Sequence, residues 1–186
     1  MNNYRVPLLT TIHLLALILT IFTLMVIYNY FDTGRNAGFS SIMFILTLSV
    51  WSLILLTYRK SEEKIKNITR SVFGEDTNNI VSIYNSVSGS FFGINNKTGE
   101  ILLIALNRKG RKVFGFDYNT WAGYELEGHK LTLKFNDLDM PYFTIQDTTI
   151  PKFKHKLDVL LSASFQQKVK LGSNFSAFVQ QKALTA

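Results

Sequence analysis

Two uncharged apolar runs, separated by five residues, constrain this chain more than any other feature. From Val6 to Phe31 no residue carries a charge, and from Ala37 to Tyr58 none does again. As helices these runs would extend roughly 39 and 33 Å, each more than the roughly 30 Å hydrocarbon core of a bilayer. Only Asp32 to Asn36 lies between them, so the two helices must return on each other as an antiparallel hairpin. Arg59, Lys60, Lys64, Lys66 and Arg70 crowd the exit of the second run, Arg5 precedes the first, and the connecting loop holds Arg35 alone. That asymmetry predicts a two-pass protein of a bacterial inner membrane with both termini cytoplasmic. A cleaved signal peptide fits less well, because the first run is too long for an h-region and no small-x-small site follows it.

At the ends of the spans, Tyr4, Tyr28, Tyr30 and Tyr58 fall where interfacial aromatic belts belong, and Trp51 lies deeper, against the other helix or lipid. His13 is the one ionisable group inside a span. A proton relay would need a partner, and neither span holds an Asp, Glu, Lys or Arg, so a neutral imidazole bonded to backbone, to Ser or Thr of the other helix, or near the interface is expected. Thr20, Thr47, Ser49 and Ser52 read as helix-packing contacts.

Beyond the hairpin, residues 59–79 read as a charged juxtamembrane helix with Ile65, Ile68 and Val72 on one face, able to lie on a lipid surface, and a linker. Residues 80–171 read as one cytoplasmic β-rich domain. The strands expected are Ser90 to Ile94, Ile101 to Leu106, Val113 to Tyr118, Trp121 to Leu126, the alternating Leu131 to Phe135, and Tyr142 to Gln146. Pro151 opens a helix with the stripe Phe153, Leu157, Leu160, Leu161, Phe165 and Val169. Residues 172–186 form a tail, as a short helix or frayed. The fold expected is thus an α+β membrane protein: a transmembrane hairpin (helices 6–31 and 37–58, within residues 1–58) and a small antiparallel β domain. Five or six strands are closed by a C-terminal amphipathic helix, in outline a pleckstrin-homology-like roll or barrel, with an α+β sandwich as the alternative.

Composition narrows the chemistry. The chain has no cysteine, which excludes disulfides and thiolate chemistry. Of its net charge of +7, only +3 lies beyond Arg70, and basic and aromatic residues do not interleave on a strand face, so no nucleic-acid partner is expected. Asp117, Asp137, Asp139 and Asp147 are the carboxylates to weigh as a metal or acid–base site, and they read as turn caps. The run ending Lys109-Gly110-Arg111-Lys112 lacks a phosphate loop's second glycine and its Ser or Thr. Ser88-Gly89-Ser90 lacks the surroundings of a nucleophile elbow. No catalytic residue, cofactor, metal or small-molecule substrate is therefore expected. Arg108, Lys109, Arg111 and Lys112 gather four cations on one hairpin tip, a candidate interaction surface for anionic lipid or an acidic protein.

A series of short stretches carries a family likeness: Phe92-Gly93-Ile94, Ile101-Leu102-Leu103-Ile104, Phe116-Asp117-Tyr118, Tyr124-Glu125-Leu126, then Leu131-Thr132-Leu133-Lys134-Phe135-Asn136-Asp137-Leu138-Asp139-Met140-Pro141 and Phe143-Thr144-Ile145. Over about residues 88–165 the chain resembles the entry-exclusion proteins of IncI-type conjugative plasmids. The resemblance implies a non-enzymatic protein that blocks redundant DNA transfer by recognising a membrane component of the donor's conjugation apparatus. The other reading is a membrane-tethered adaptor that binds anionic lipid or a protein in its own cell.

Overall fold

A computed structural model describes residues 5–75, 78–107, 110–162, 164 and 174–185. It forms two compact units, Met1–Lys60 and Ser61–Ala186. The first holds α1 (Arg5–Thr33) and most of α2 (Ala37–Phe73), both long and apolar enough to cross a membrane. Helix α1 stops where Gly34 takes φ 67° and returns its N–H to the Tyr30 carbonyl at 2.8 Å. This left-handed cap suits a residue without Cβ. The carbonyl of Asn36 then accepts the Ser40 N–H at 3.1 Å to start α2.

Leu9, Ala16 and Thr23 on α1, and Ser40, Thr47 and Ile54 on α2, are buried at seven-residue spacing. A repeat of that length is the seam of a coiled-coil pair. Outward side chains such as Leu14, Leu24, Met25 and Leu53 remain exposed.

In the second unit, β1 (Ile80–Asn85), β2 (Ser90–Asn95), β3 (Ile101–Asn107) and β4 (Gly110–Phe116) form a four-stranded antiparallel sheet in sequence order. A 3-10 turn, Tyr118–Thr120, leads to a three-stranded antiparallel sheet of β5 (Trp121–Glu127), β6 (Lys130–Phe135) and β7 (Tyr142–Gln146). Helix α3 (Ile150–Leu160) follows, then α4 (Phe175–Thr185). Phe92, Leu103, Leu131, Leu133, Ile145 and Leu157 belong to one core, shared by both sheets and α3.

Three expectations are corrected. The described strands number seven, not five or six: β1 is an edge strand paired only with β2, and no clean alternation marks it in sequence. The segment after the second apolar run is no separate helix, since α2 continues unbroken to Phe73. Nor does its stripe lie on lipid: Ile65, Ile68 and Val72 are 4%, 1% and 9% exposed, packed with Phe91, Leu102 and Ile104 on the outer face of the four-stranded sheet.

The tail supplies α4, whose Phe175 and Val179 join that outer layer. Strand β3 is therefore covered on both faces, which is why its sequence is continuously apolar rather than alternating. On α3, Phe153, Leu157 and Leu160 are buried, Leu161 is the C-cap, and Phe165 and Val169 lie outside the described residues.

Candidate functional site

In the hairpin, polar side chains meet across the seam. The Thr23 and Thr47 hydroxyls are 2.7 Å apart, and the Trp51 indole N–H donates to Thr20 Oγ1 at 3.0 Å. His13 Nδ1 lies 2.7 Å from the Leu9 carbonyl oxygen. A carbonyl only accepts, so Nδ1 carries a proton and donates to it, while Nε2 and the Tyr58 hydroxyl lie within hydrogen-bond distance at 3.0 Å. His13 is thus held between the backbone of its own helix and the facing helix. The aromatic partner, Tyr58, is one that sequence reasoning had assigned to the interface.

The basic hairpin tip is only partly visible, because Arg108 and Lys109 lie outside the described residues. Arg111, though exposed, is tied to the neighbouring helix: its guanidinium donates to the Ala183 carbonyl in the last turn of α4. A cation there complements the partial negative charge of a helix C-terminus. Lys112 is exposed. The structure therefore separates the roles of two residues that the sequence grouped.

The aspartates cap turns. Asp117 Oδ1 accepts from the N–H groups of Asn119 and Thr120 at 2.9 and 3.1 Å, and Asp137 Oδ1 from those of Asp139 and Met140, both at 2.9 Å. Asp117 and Asp137 share the lining of a pocket of about 210 Å³, to which Asp139 and Asp147 do not contribute. Asp147 instead fastens β1 to the start of α3, accepting from the Thr149 amide at 2.8 Å, the Thr149 hydroxyl at 2.6 Å and Asn85 Nδ2 at 3.2 Å.

Partial burial pushes the Asp147 carboxyl upward, but the two Thr149 bonds, the Asn85 bond and nearby His129 outweigh it, leaving it below its ordinary value of 3.8. A depressed carboxyl adds stability above its unfolded pKa, and that stability is lost as pH falls through the folded value. Asp147→Asn is accordingly expected to lower the thermal midpoint at neutral pH and to leave the variant and parent alike once pH is well below 3.8. A constant difference at all pH values would show that the charge is not what Asn85 and Thr149 recognise. Tyr124 is shifted the other way: burial, then its hydrogen bond to Asp158 and that residue's charge, push the phenol up to about 12.

Two further features escaped sequence reasoning. The turn between β6 and β7, braced by Asp137, holds Leu138 fully in solvent at 102% relative exposure. A groove of about 300 Å³ runs between the end of α2 and strands β1 and β2, floored by Ile65 and Phe91 and flanked by Tyr84. Thr69, 8% exposed, is among its lining residues, and its hydroxyl is fully buried with no hydrogen-bond partner among the described residues. Lys66 and Arg70 stand at its rim, paired with Glu62 at 2.9 Å and Glu75 at 3.8 Å. The spacing of 62, 66 and 70 on one helix face was readable, but its meeting with β1 and β2 was not.

No family model, curated protein or solved structure matches this chain.

Proposed function

We propose that this chain is a non-enzymatic recognition protein tethered to a bacterial inner membrane by its two-helix hairpin, with both termini cytoplasmic. The four-plus-three strand order followed by a helix supports a pleckstrin-homology-like reading of the β-rich unit. The observation that carries recognition is Leu138. A large apolar side chain held in water by a braced turn contributes nothing to the core, and it stands in the stretch Leu131 to Pro141 that most specifically resembles the entry-exclusion proteins. On that resemblance, the turn is the contact for a membrane component of the donor's conjugation apparatus, and the protein's work is plasmid entry exclusion.

The test is the frequency of plasmid transfer from IncI-type donors into recipients expressing the full chain, against empty-vector recipients and an unrelated donor plasmid. A donor-specific drop is expected, and Leu138→Ser at equal expression should abolish most of it. No drop with the protein expressed would favour the second reading, a tethered adaptor acting in its own cell, for which exposed Lys112, on β4 just after the basic turn, is the supporting observation.

A further inference from the structure

We propose that the free edge of β7, with the Leu138 turn at its head, takes up an extended segment of a partner protein as an added strand, and that this segment carries a Lys or Arg where it passes the turn. The inference rests on the reading of the Leu138 turn as a recognition surface, and it names the kind of partner segment that surface fits.

The register decides which backbone groups are open. The Phe135 N–H donates to the Pro141 carbonyl and the Asp147 N–H to the His129 carbonyl, both at 2.9 Å. Bonded and unbonded pairs alternate along an antiparallel ladder, so Leu133 bonds Phe143 and Leu131 bonds Ile145. Tyr142, Thr144 and Gln146 fall between them and turn their N–H and C=O groups away from β6. Asn85 Nδ2 donates to the Gln146 carbonyl at 2.7 Å, which agrees with that direction and ties off one end of the edge. The outward backbone groups of Tyr142 and Thr144 have no partner among the described residues.

Native edges are usually blunted by charge, by a bulge or by a covering element. Strand β4 carries Arg111 and Lys112, and β5 carries Glu125, Glu127 and a register shift between Trp121 and Gly123. Lys152 and Lys156 of α3 stand along β1, where they line a cavity of about 320 Å³ with Ser82. Strand β7 shows none of these devices among the described residues. Its outward side chains, Tyr142, Thr144 and Gln146, are exposed and uncharged, and the first two are strand formers. Such an edge is a template for an extended segment of another chain, whose main-chain bonds supply affinity and whose side chains supply specificity.

The turn sets the chemistry of that segment. Leu138 at 102% and Tyr142 at 62% exposure leave apolar surface at the head of the edge. Asp139, beside Leu138, is exposed, and its carboxylate has no partner among the described residues. Asp137 adds a second negative charge, and the nearest cation in sequence, Lys134, is engaged by Glu125. A segment of alternating, uncharged strand formers ending in Lys or Arg complements this edge. The same two carboxylates disfavour an anionic lipid surface as the occupant.

The test uses the full chain in phosphatidylcholine nanodiscs, with amide hydrogen exchange resolved by residue. In the free chain the Tyr142 and Thr144 amides should exchange about tenfold or more faster than those of Phe143 and Ile145. The probe is the acetylated and amidated peptide Lys-Val-Thr-Val-Thr-Lys, which brings a cation to the turn in either strand direction. At saturation it should slow Thr144 exchange by about tenfold or more. A peptide with Glu in place of both Lys should bind about fivefold more weakly, a difference that Asp139→Asn should shrink. N-methylation of the two central residues, which blocks strand pairing in either register, should abolish binding. Equal protection of Thr144 and Phe143 in the free chain, no binding of the Lys peptide, binding that survives N-methylation, or equal binding of the Lys and Glu peptides would overturn the proposal. Plasmid transfer is scored separately: pairing in nanodiscs without exclusion in recipients would overturn the exclusion reading alone, and exclusion without pairing would overturn the strand site alone.

Discussion

Leu102→Ala will destabilise the β-rich unit by about 2–5 kcal/mol, as much as Leu103→Ala, because truncating a fully buried leucine loses transfer energy and leaves a cavity. The two residues are adjacent on β3 and point to opposite faces, and both are 0% exposed. Leu103 faces the core shared with the three-stranded sheet and α3, whereas Leu102 faces the layer made by the end of α2 and by α4. Amide exchange in β2 and β3 of the full chain, measured for each variant, should accelerate by about thirtyfold or more in both cases. A large effect for Leu103 and a small one for Leu102 would mean that the outer face is not covered as described.

Gly115→Ala should undock α4. A Cβ built on Gly115 would lie 2.6 Å from Val179 Cγ2, 2.9 Å from Val179 Cβ and 3.1 Å from Phe175 Cδ1. Overpacking of this kind costs about 1–3 kcal/mol. Helix α4 has little to set against it: among its described side chains only Phe175 and Val179 are buried, each contributing about 1.5–3 kcal/mol at most. Exchange of amides 175–185 should rise by about tenfold or more, while β6 and β7 stay protected. Adding Val179→Ala to Gly115→Ala should cost less than the sum of the two single changes, since the second makes room for the first. Strict additivity would place the clash elsewhere.

Much of this architecture is legible because it is written in local periods. The two apolar runs, the alternation Leu131, Leu133, Phe135, and Pro151 at a helix start each declare their element without reference to the rest of the chain. Strand β3 was legible as a strand from its continuous apolar run, but one of the two layers that cover it was invisible. That layer comes from Ile65, Ile68 and Val72 and from Phe175 and Val179, segments about a hundred residues apart, and no window contains both. The same stripe on α2 fits lipid or a sheet equally well until its partner is known.

Strand β1 is the reverse case. Ile80, Val81, Ile83 and Tyr84 are strand-forming residues, but an edge strand's half-buried pattern carries no clean alternation. The candidate interaction surface was legible as charge and not as geometry. Nothing in the run Arg108 to Lys112 foretells that Arg111 turns to the carbonyl of Ala183. The exposure of Leu138, in the middle of an Asp-Leu-Asp stretch, and the groove at Thr69 are likewise tertiary facts.

The account's central claim is a membrane-tethered domain on the cytoplasmic side, and the absence of cysteine from the chain makes a direct test available. Single variants Asn36→Cys, in the loop between α1 and α2, and Lys112→Cys, on β4, would each be exposed to a membrane-impermeant maleimide in intact cells with a permeabilised outer membrane. Asn36→Cys should be labelled from outside, whereas Lys112→Cys should be labelled only after the inner membrane is opened. Labelling of Lys112→Cys in intact cells, or of both variants in the soluble fraction, would contradict it.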